Sequence, residues 1–210
     1  MSHQDLKPLL DLIPADVLGI CTRLREKGKR GWIVGGCVRD LLRNGKPKDW
    51  DIATDALPAE VVGMFRKVIP TGIQHGTVTV VQRGAHYEVT TLRGEGAYSD
   101  GRRPDKVEFV DDITADLARR DFTFNAIAID PVDGHVIDPF DGRKDLASRV
   151  LRAVGDPLER FAEDGLRVLR AARFSATLEC SIAAETEQAM GATRSLDTFR
   201  RVSAERVRDE

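Results

Sequence analysis

The chain has 210 residues, with 32 Lys+Arg against 34 Asp+Glu, four His and three Cys. A hydrophobic share of 41% and a charged share of 31% suit one large or two small globular domains, and exclude a disordered chain or a coiled coil. No run of about 18 apolar residues is present to cross a membrane, and Met1–Leu10 carries Asp5 and Pro8 where a signal peptide needs an apolar core, so a cytoplasmic protein is expected.

In chain order, Val17, Ile20, Cys21 and Leu24 fall at helical spacing and predict a helix from Asp16, ended by Gly28. Trp32-Ile33-Val34 is a short strand stopped by Gly35-Gly36, and a helix from Cys37 to Arg43 follows. Asp49 to Thr54 reads as a second strand, and Pro58 opens a helix at a position where proline fits. Thr77–Gln82 and His86–Arg93, parted by Arg83-Gly84-Ala85, predict a hairpin. Gly94 to Pro104 reads as a mobile loop and Val107–Val110 as a further strand. Helical pattern dominates beyond that, with a β-like interruption at His135–Ile137. From about Asp156 only helices are expected: Pro157–Ala162, Asp164–Leu178, Ala183–Met190 and Val202–Glu210. A mixed α/β head over 1–155 therefore precedes an all-helical part over 156–210, an α+β organisation. The segment Ser203–Glu210 begins like a capped helix and has no C-cap, which suggests a chain cut short.

The net charge of −2 gives no basic surface overall, so contact with nucleic acid must rest on local patches. Arginine outnumbers lysine 24 to 8; the guanidinium fork suits phosphates and base edges, while a GC-rich genome produces the same skew. Cys21, Cys37 and Cys180 are odd in number and far apart, and neither CxxC nor HExxH occurs. Zinc and a disulfide framework are therefore not expected.

The chemistry concentrates in three places. Gly35-Gly36-Cys37-Val38-Arg39-Asp40 is followed by Asp49-Trp50-Asp51. Strand residues two apart share a face, so Asp49 and Asp51 are expected side by side. Two adjacent carboxylates repel unless a cation lies between them, and hard oxygen ligands select Mg²⁺ or Mn²⁺. Gly35 and Gly36 have no Cβ to block a close approach, the helix start offers N–H groups to phosphate, and Arg39 can fork onto its oxygens. Together these point to a nucleoside triphosphate with its metal. The fingerprints GxGxxG and GxxxxGK[ST] are absent, which argues against a dehydrogenase or a P-loop enzyme.

Arg119-Arg120-Asp121-Phe122-Thr123-Phe124-Asn125-Ala126 offers two arginines for a triphosphate or sugar, or equally an Arg–Asp surface network over Phe122 and Ile127. In Glu163-Asp164-Gly165-Leu166-Arg167, continuing through Arg170 and Arg173, the arginines make a slanted stripe beside Leu166, Val168, Leu169 and Ala172. One reading is a salt-bridged solvated face. The other pairs the Asp164 acceptor with the Arg167 donor to read one edge of cytosine or adenine. Uracil and guanine would set a carbonyl against the carboxylate.

These motifs, with Thr54, Asp138-Pro139-x-x-Gly142 and Ser203-Ala204-Glu205-Arg206, resemble those of the class II tRNA nucleotidyltransferases, the bacterial CCA-adding enzyme and poly(A) polymerase family of the polymerase-β-like nucleotidyltransferase superfamily. The resemblance covers nearly the whole chain from about Trp32. It implies a five-stranded head with a mixed sheet, an all-helical neck that reads the incoming base, and body and tail domains beyond this chain. It implies Asp49 and Asp51 as ligands of two Mg²⁺, with Glu88 as a third head carboxylate. It also implies Gly35, Gly36, Arg39 and Arg120 around the triphosphate and sugar, and Asp164 and Arg167 templating CTP and ATP with Arg170 and Arg173 nearby. The expected reaction adds CMP and AMP to the tRNA 3′ end. Poly(A) polymerase activity, CC-only or A-only addition, and a weak nucleotide-binding module are the alternatives. Gln74-His75-Gly76-Thr77 looks more like the tRNA enzymes than the polyadenylating branch. Leu92 stands where the family usually has Phe, and Cys37 fills a small-residue slot.

Overall fold

A computed structural model describes residues 8–94 and 108–210. Positions 95–104 of the expected Gly94–Pro104 loop lie outside the described residues. The helices are α1 (Ala15–Glu26), α2 (Gly36–Leu42), α3 (Pro58–Met64), α4 (Ile113–Ala118), α5 (Gly142–Ala147), α6 (Pro157–Glu163), α7 (Leu166–Leu178), α8 (Ala184–Met190), α9 (Thr193–Arg200) and α10 (Ala204–Asp209). The strands are β1 (Gly31–Val34), β2 (Asp51–Thr54), β3 (Val68–Gly72), β4 (Thr77–Gln82), β5 (Ala85–Thr91), β6 (Ala128–Asp130), β7 (His135–Ile137), β8 (Val150–Leu151) and β9 (Ser181–Ile182).

The first seven strands form one mixed sheet in the order β3-β4-β5-β2-β1-β6-β7. Only the β2–β5 pairing in it is parallel, setting Asp51 opposite Glu88. Side chains of β1 alternate between two apolar layers, so both faces are covered and the whole strand is buried. Ile33, Ile52, Val78 and Val89 pack against Val17, Ile20 and Leu24 of α1, Val38 and Leu41 of α2, and Val61 of α3. Trp32, Val34 and Ala53 pack on the other side against Leu92, Ile113, Leu117 and Val154. A third cluster joins Phe122, Phe124 and Leu151 to Phe161, Ala171, Phe174 and Leu178. No helix of the described residues is long and apolar enough to cross a membrane.

The structure departs from the sequence reading in several places. The sheet has seven strands among the described residues, where the family resemblance implies five. Strand β3 was not among the expected elements; it contains Pro70, which is tolerated because β3 lies at the sheet edge. Strand β6 is only three residues long and wholly buried, so it lacks the alternation that announces a strand. Phe109 makes only an isolated bridge, to Arg93, within the stretch expected as a strand. The part after residue 155 is not all helix. Glu179 takes φ 53° and stops α7, after which β9 runs parallel to β8, with Ser181 N–H donating to the Arg149 carbonyl at 2.9 Å. Helix α9 was not among the expected elements.

Two further corrections bear on the site. Asp49 precedes β2 instead of lying in it, because β1 turns away at Gly35 and its pairing with β2 ends at Val34–Asp51. Asp164 caps the end of α6, and α7 starts at Leu166, so the Asp164–Arg167 pair straddles a break between helices. The buried side of α7 is Leu166, Ala171, Phe174 and Leu178; Ala172 is exposed.

Gly165 sits at that break with its backbone against α9, and an added Cβ would fall 2.5 Å from the Phe199 nitrogen. Gly165→Ala is expected to lower unfolding stability by about 1–3 kcal/mol through overpacking. Gly63→Ala, in α3 with open space around it, is expected to raise stability by about 0.5–1 kcal/mol. Urea unfolding of both variants checks the pair; equal effects would contradict the packing at Gly165.

Candidate active site

A cleft of about 570 Å³ opens where the ends of β1 and β2 meet the segment after α4 and the first turns of α7. Of the residues singled out by sequence, Gly35, Gly36, Arg39, Asp51, Glu88, Arg120, Asp164, Arg167, Arg170 and Arg173 line it. Asp49 does not; it is exposed in the bend ahead of β2.

The turn after β1 decides the floor. Gly35 has φ 74°, a conformation that strains residues with a Cβ, and a Cβ there would meet Arg120 Nη1 at 3.1 Å and Asp51 Oδ2 at 3.8 Å. Bare backbone thus lets a guanidinium and a carboxylate close over the same turn. Asp51 and Glu88 are register partners on neighbouring parallel strands, so their carboxylates share a face. The Asp51 side chain still touches solvent at the cleft, yet its carboxyl is held above the ordinary range. The cause is first the crowding of protein around it, then the Glu88 charge; Arg120 pulls the other way and Asp49 adds a little. Two carboxylates in this relation attract a hard divalent cation. Among the described residues, no group of three or more His, Cys, Asp or Glu gathers into a ready-made metal cage.

Arginines form the walls, and each is held by neighbouring acceptors. Arg39, on α2, donates through Nε to Asp40 Oδ1 at 2.9 Å and through Nη1 to Asn125 Oδ1 at 3.0 Å. Asp116, 2% exposed, accepts from Arg119 Nε and Nη2 at 3.2 and 3.1 Å, from Arg120 Nη2 at 3.0 Å and from the Arg93 N–H at 3.1 Å. Burial pushes the Asp116 carboxyl up, but Arg120, Arg119 and the Arg93 N–H outweigh it and hold the group below the usual carboxylate range. Arg120 Nε is buried and has no hydrogen-bond partner among the described residues. Asp121 is the second buried anchor: it accepts from Arg170 Nε and Nη2 at 2.9 and 2.7 Å and from Asn125 Nδ2 at 3.0 Å. Burial raises its carboxyl too, and Arg170 with Asn125 brings it below the ordinary range.

On the far wall, Asp164 accepts from Arg206 Nη1 and Nη2 at 3.2 and 2.8 Å and caps the Leu166 N–H at 3.0 Å. Arg167 donates to Glu163 Oε2 at 2.6 Å, to the Arg160 carbonyl and, through Nη2, to the Arg119 carbonyl, both at 2.9 Å. Glu210 accepts from Arg170 at 3.2 Å and from Arg173 Nε at 2.7 Å. Asp116, Asn125, Glu163, Arg206 and Glu210 were not singled out as site residues. Asp116 had a signal, standing three and four residues before two arginines on a helix. Arg206 stands in the Ser203–Arg206 motif, but nothing local ties it to Asp164, and Glu210 had no signal, because the partners of both lie about 40 residues away in sequence. Thr54 has a structural role: its hydroxyl donates to the Arg30 carbonyl and accepts from the Ala56 N–H. Asp138 caps α5 through the Gly142 and Arg143 N–H groups.

Asp116 and Asp121 titrate below their unfolded value of about 3.9, so their stabilisation is complete above that value and is lost as pH falls through their folded range. Asp51, raised, contributes with the opposite sign. Asp116→Asn strands two guanidinium groups and is expected to cost about 3 kcal/mol at pH 7. Its deficit against the parent should shrink as urea titrations are carried from pH 5 towards pH 2. A deficit independent of pH would contradict an ionised Asp116.

A family profile described as the poly A polymerase head domain matches residues 31–152. The CCA-adding enzyme of Lactobacillus johnsonii is 50% identical over 193 residues, covering 92% of this chain and 48% of that protein. The CCA-adding enzyme of Oceanobacillus iheyensis is 53% identical over 171 residues, 81% of this chain and 42% of the relative. The Bacillus stearothermophilus CCA-adding enzyme in complex with CTP superposes with a TM-score of 0.81 at 44% identity, covering 90% of this chain and 45% of that one. The Thermotoga maritima CCA-adding enzyme complexed with tRNA gives 0.78 at 26% identity, over 97% and 48%. The chain therefore spans about half the length of the curated relatives it matches. The chain belongs to the poly A polymerase head-domain family, with a nucleotidyltransferase head built on a mixed sheet and followed by helices.

Proposed function

We propose that this chain carries the catalytic head (1–155) and base-reading neck (156–210) of a template-independent RNA nucleotidyltransferase that adds CMP and AMP, from CTP and ATP, to the 3′ end of tRNA. The observation that carries this reading is the convergence on one cleft of the Asp51–Glu88 pair, Arg39, Arg120, and the Asp164–Arg167 pair. The relatives' names support it: they are CCA-adding enzymes, one bound to CTP and one to tRNA. A cytoplasmic location goes with this reading.

The RNA 3′-hydroxyl attacks the α-phosphorus in line, a new phosphodiester forms and pyrophosphate departs. Asp51 and Glu88, with Asp49 adding its charge from outside the cleft, fit the hard-oxygen requirements of magnesium. When bound there, Mg²⁺ stabilises the charge on the attacking and departing oxygens. Arg120 sets its Nη1 over the bare Gly35 turn, and Arg39 sets its Nη2 over Gly36; both orient phosphate oxygens. At the other wall Asp164 retains acceptor lone pairs and Arg167 retains its Nε–H among the described contacts. An exocyclic amine and a neighbouring ring acceptor satisfy both groups, which selects cytosine and adenine over uracil and guanine.

Asp51→Ala is expected to abolish incorporation while the chain stays folded, and retained turnover would refute its metal role; Asp49→Ala, outside the cleft, is expected to weaken incorporation less. Asp164→Ala should relax base choice, so unchanged rejection of UTP and GTP would count against templating. The family profile's own description favours a second reading, poly(A) synthesis. Three RNAs decide between them: tRNA lacking CCA, tRNA ending in CC, and an unstructured RNA, each with single nucleotides and Mg²⁺. Elongation of the unstructured RNA by ATP would select poly(A) synthesis. Nucleotide binding without any extension would favour a nucleotide-binding module.

A further inference from the structure

Phe174, on α7, is 5% exposed and borders the cleft. Its ring meets Phe122 and Phe124 at 85° and 86°, with centroids 5.8 and 5.7 Å away. Those two contacts, together with the helix backbone, fix the plane of the ring. Around it stand three guanidinium carbons: Arg173 at 4.2 Å, Arg39 at 5.2 Å and Arg170 at 5.3 Å from the centroid. Arg39 belongs to α2 at the glycine turn; Arg170 and Arg173 belong to α7.

A buried phenylalanine in an aliphatic and aromatic core needs no cations around it, and a leucine would fill much of the same volume. Three cations on one ring are a different arrangement. Guanidinium groups gathered on one ring repel one another; Asp40, Asp121 and Glu210 already pair with them, and one more carboxylate on the cleft side would compete with an incoming polyanion. The face of an aromatic ring attracts cations through its quadrupole while carrying no net charge. It can therefore gather arginines without cancelling the field they project into the cleft.

We propose that Phe174 is a positioning residue for nucleotide binding, its π face seating Arg39 of the head and Arg173 of the neck at a fixed separation across the cleft. This rests on the nucleotidyl-transfer reading and deepens it. Among the described residues Arg167 is not one of the cations over the ring. The seat therefore acts on phosphate affinity and leaves base choice alone.

The test introduces mono-, di- and trifluorophenylalanine at position 174 of the full chain. Fluorine drains electron density from the ring with little change in shape. CTP binding with Mg²⁺ is followed by calorimetry, with UTP in parallel and thermal unfolding as a control. The expected result is a stepwise rise in Kd for CTP, about three- to tenfold at three fluorines, with the CTP-to-UTP ratio and the unfolding midpoint unchanged. Phe174→Leu is expected to match or exceed the largest of these losses. A flat response to fluorine overturns the proposal whatever the leucine variant does, because shape alone would then account for the residue. Failure of the unsubstituted chain to bind CTP would instead overturn the nucleotide reading itself, and the proposal with it.

Discussion

Gathering arginines is the constraint on which the rest of this structure depends. Two guanidinium charges 4 Å apart near a protein surface repel by about 4 kcal/mol, and this cleft brings Arg39, Arg120, Arg167, Arg170 and Arg173 to one cavity. The repulsion is offset by paired carboxylates. Asp116 and Asp121 are buried and ionised beneath Arg119, Arg120 and Arg170, while Glu163 and Glu210 hold Arg167 and Arg173 at the far wall. Carboxylates paired with the guanidinium groups fix their orientation at the cavity, whose lining Asp116 and Asp121 share. That is what separates an anion site from a salt-bridged surface.

The fold makes such an arrangement possible because the cleft is shared. The β1 strand is buried on both faces and delivers the glycine turn; parallel β2 and β5 deliver the paired carboxylates. The far wall is tied to the head by direct contacts: Arg167 to the Arg119 carbonyl, Arg170 to Asp121, β9 to β8, and the aromatic cluster of Phe122, Phe124 and Phe174. Phosphate-facing and base-facing groups therefore sit on one continuous packed unit, and the distance between them is set by core packing.

Much of this was legible in the sequence for local reasons. A glycine pair after a buried strand, an arginine in the next helix turn, and arginines three apart on α7 all announce themselves within a few residues. The Asp49–Asp51 reading put both residues in one strand, whereas the strand starts at Asp51, the register partner of Glu88. The Asp164–Arg167 pair was found by spacing, although a helix break lies between its members. What could not be read were the long-range anchors. Arg206 on Asp164, Glu210 on Arg173 and the Arg119 carbonyl on Arg167 join positions some 40 residues apart, and no local periodicity encodes such pairs.

Side-by-side calorimetric titration of CTP, ATP, UTP and GTP into the chain with Mg²⁺ tests the central claim most directly. The arrangement of arginines around the glycine turn, facing the Asp164–Arg167 pair, predicts that CTP and ATP bind and that UTP and GTP bind at least about tenfold more weakly. Equal affinity for all four would contradict the base-reading wall. No binding of any would contradict the cleft as a triphosphate site.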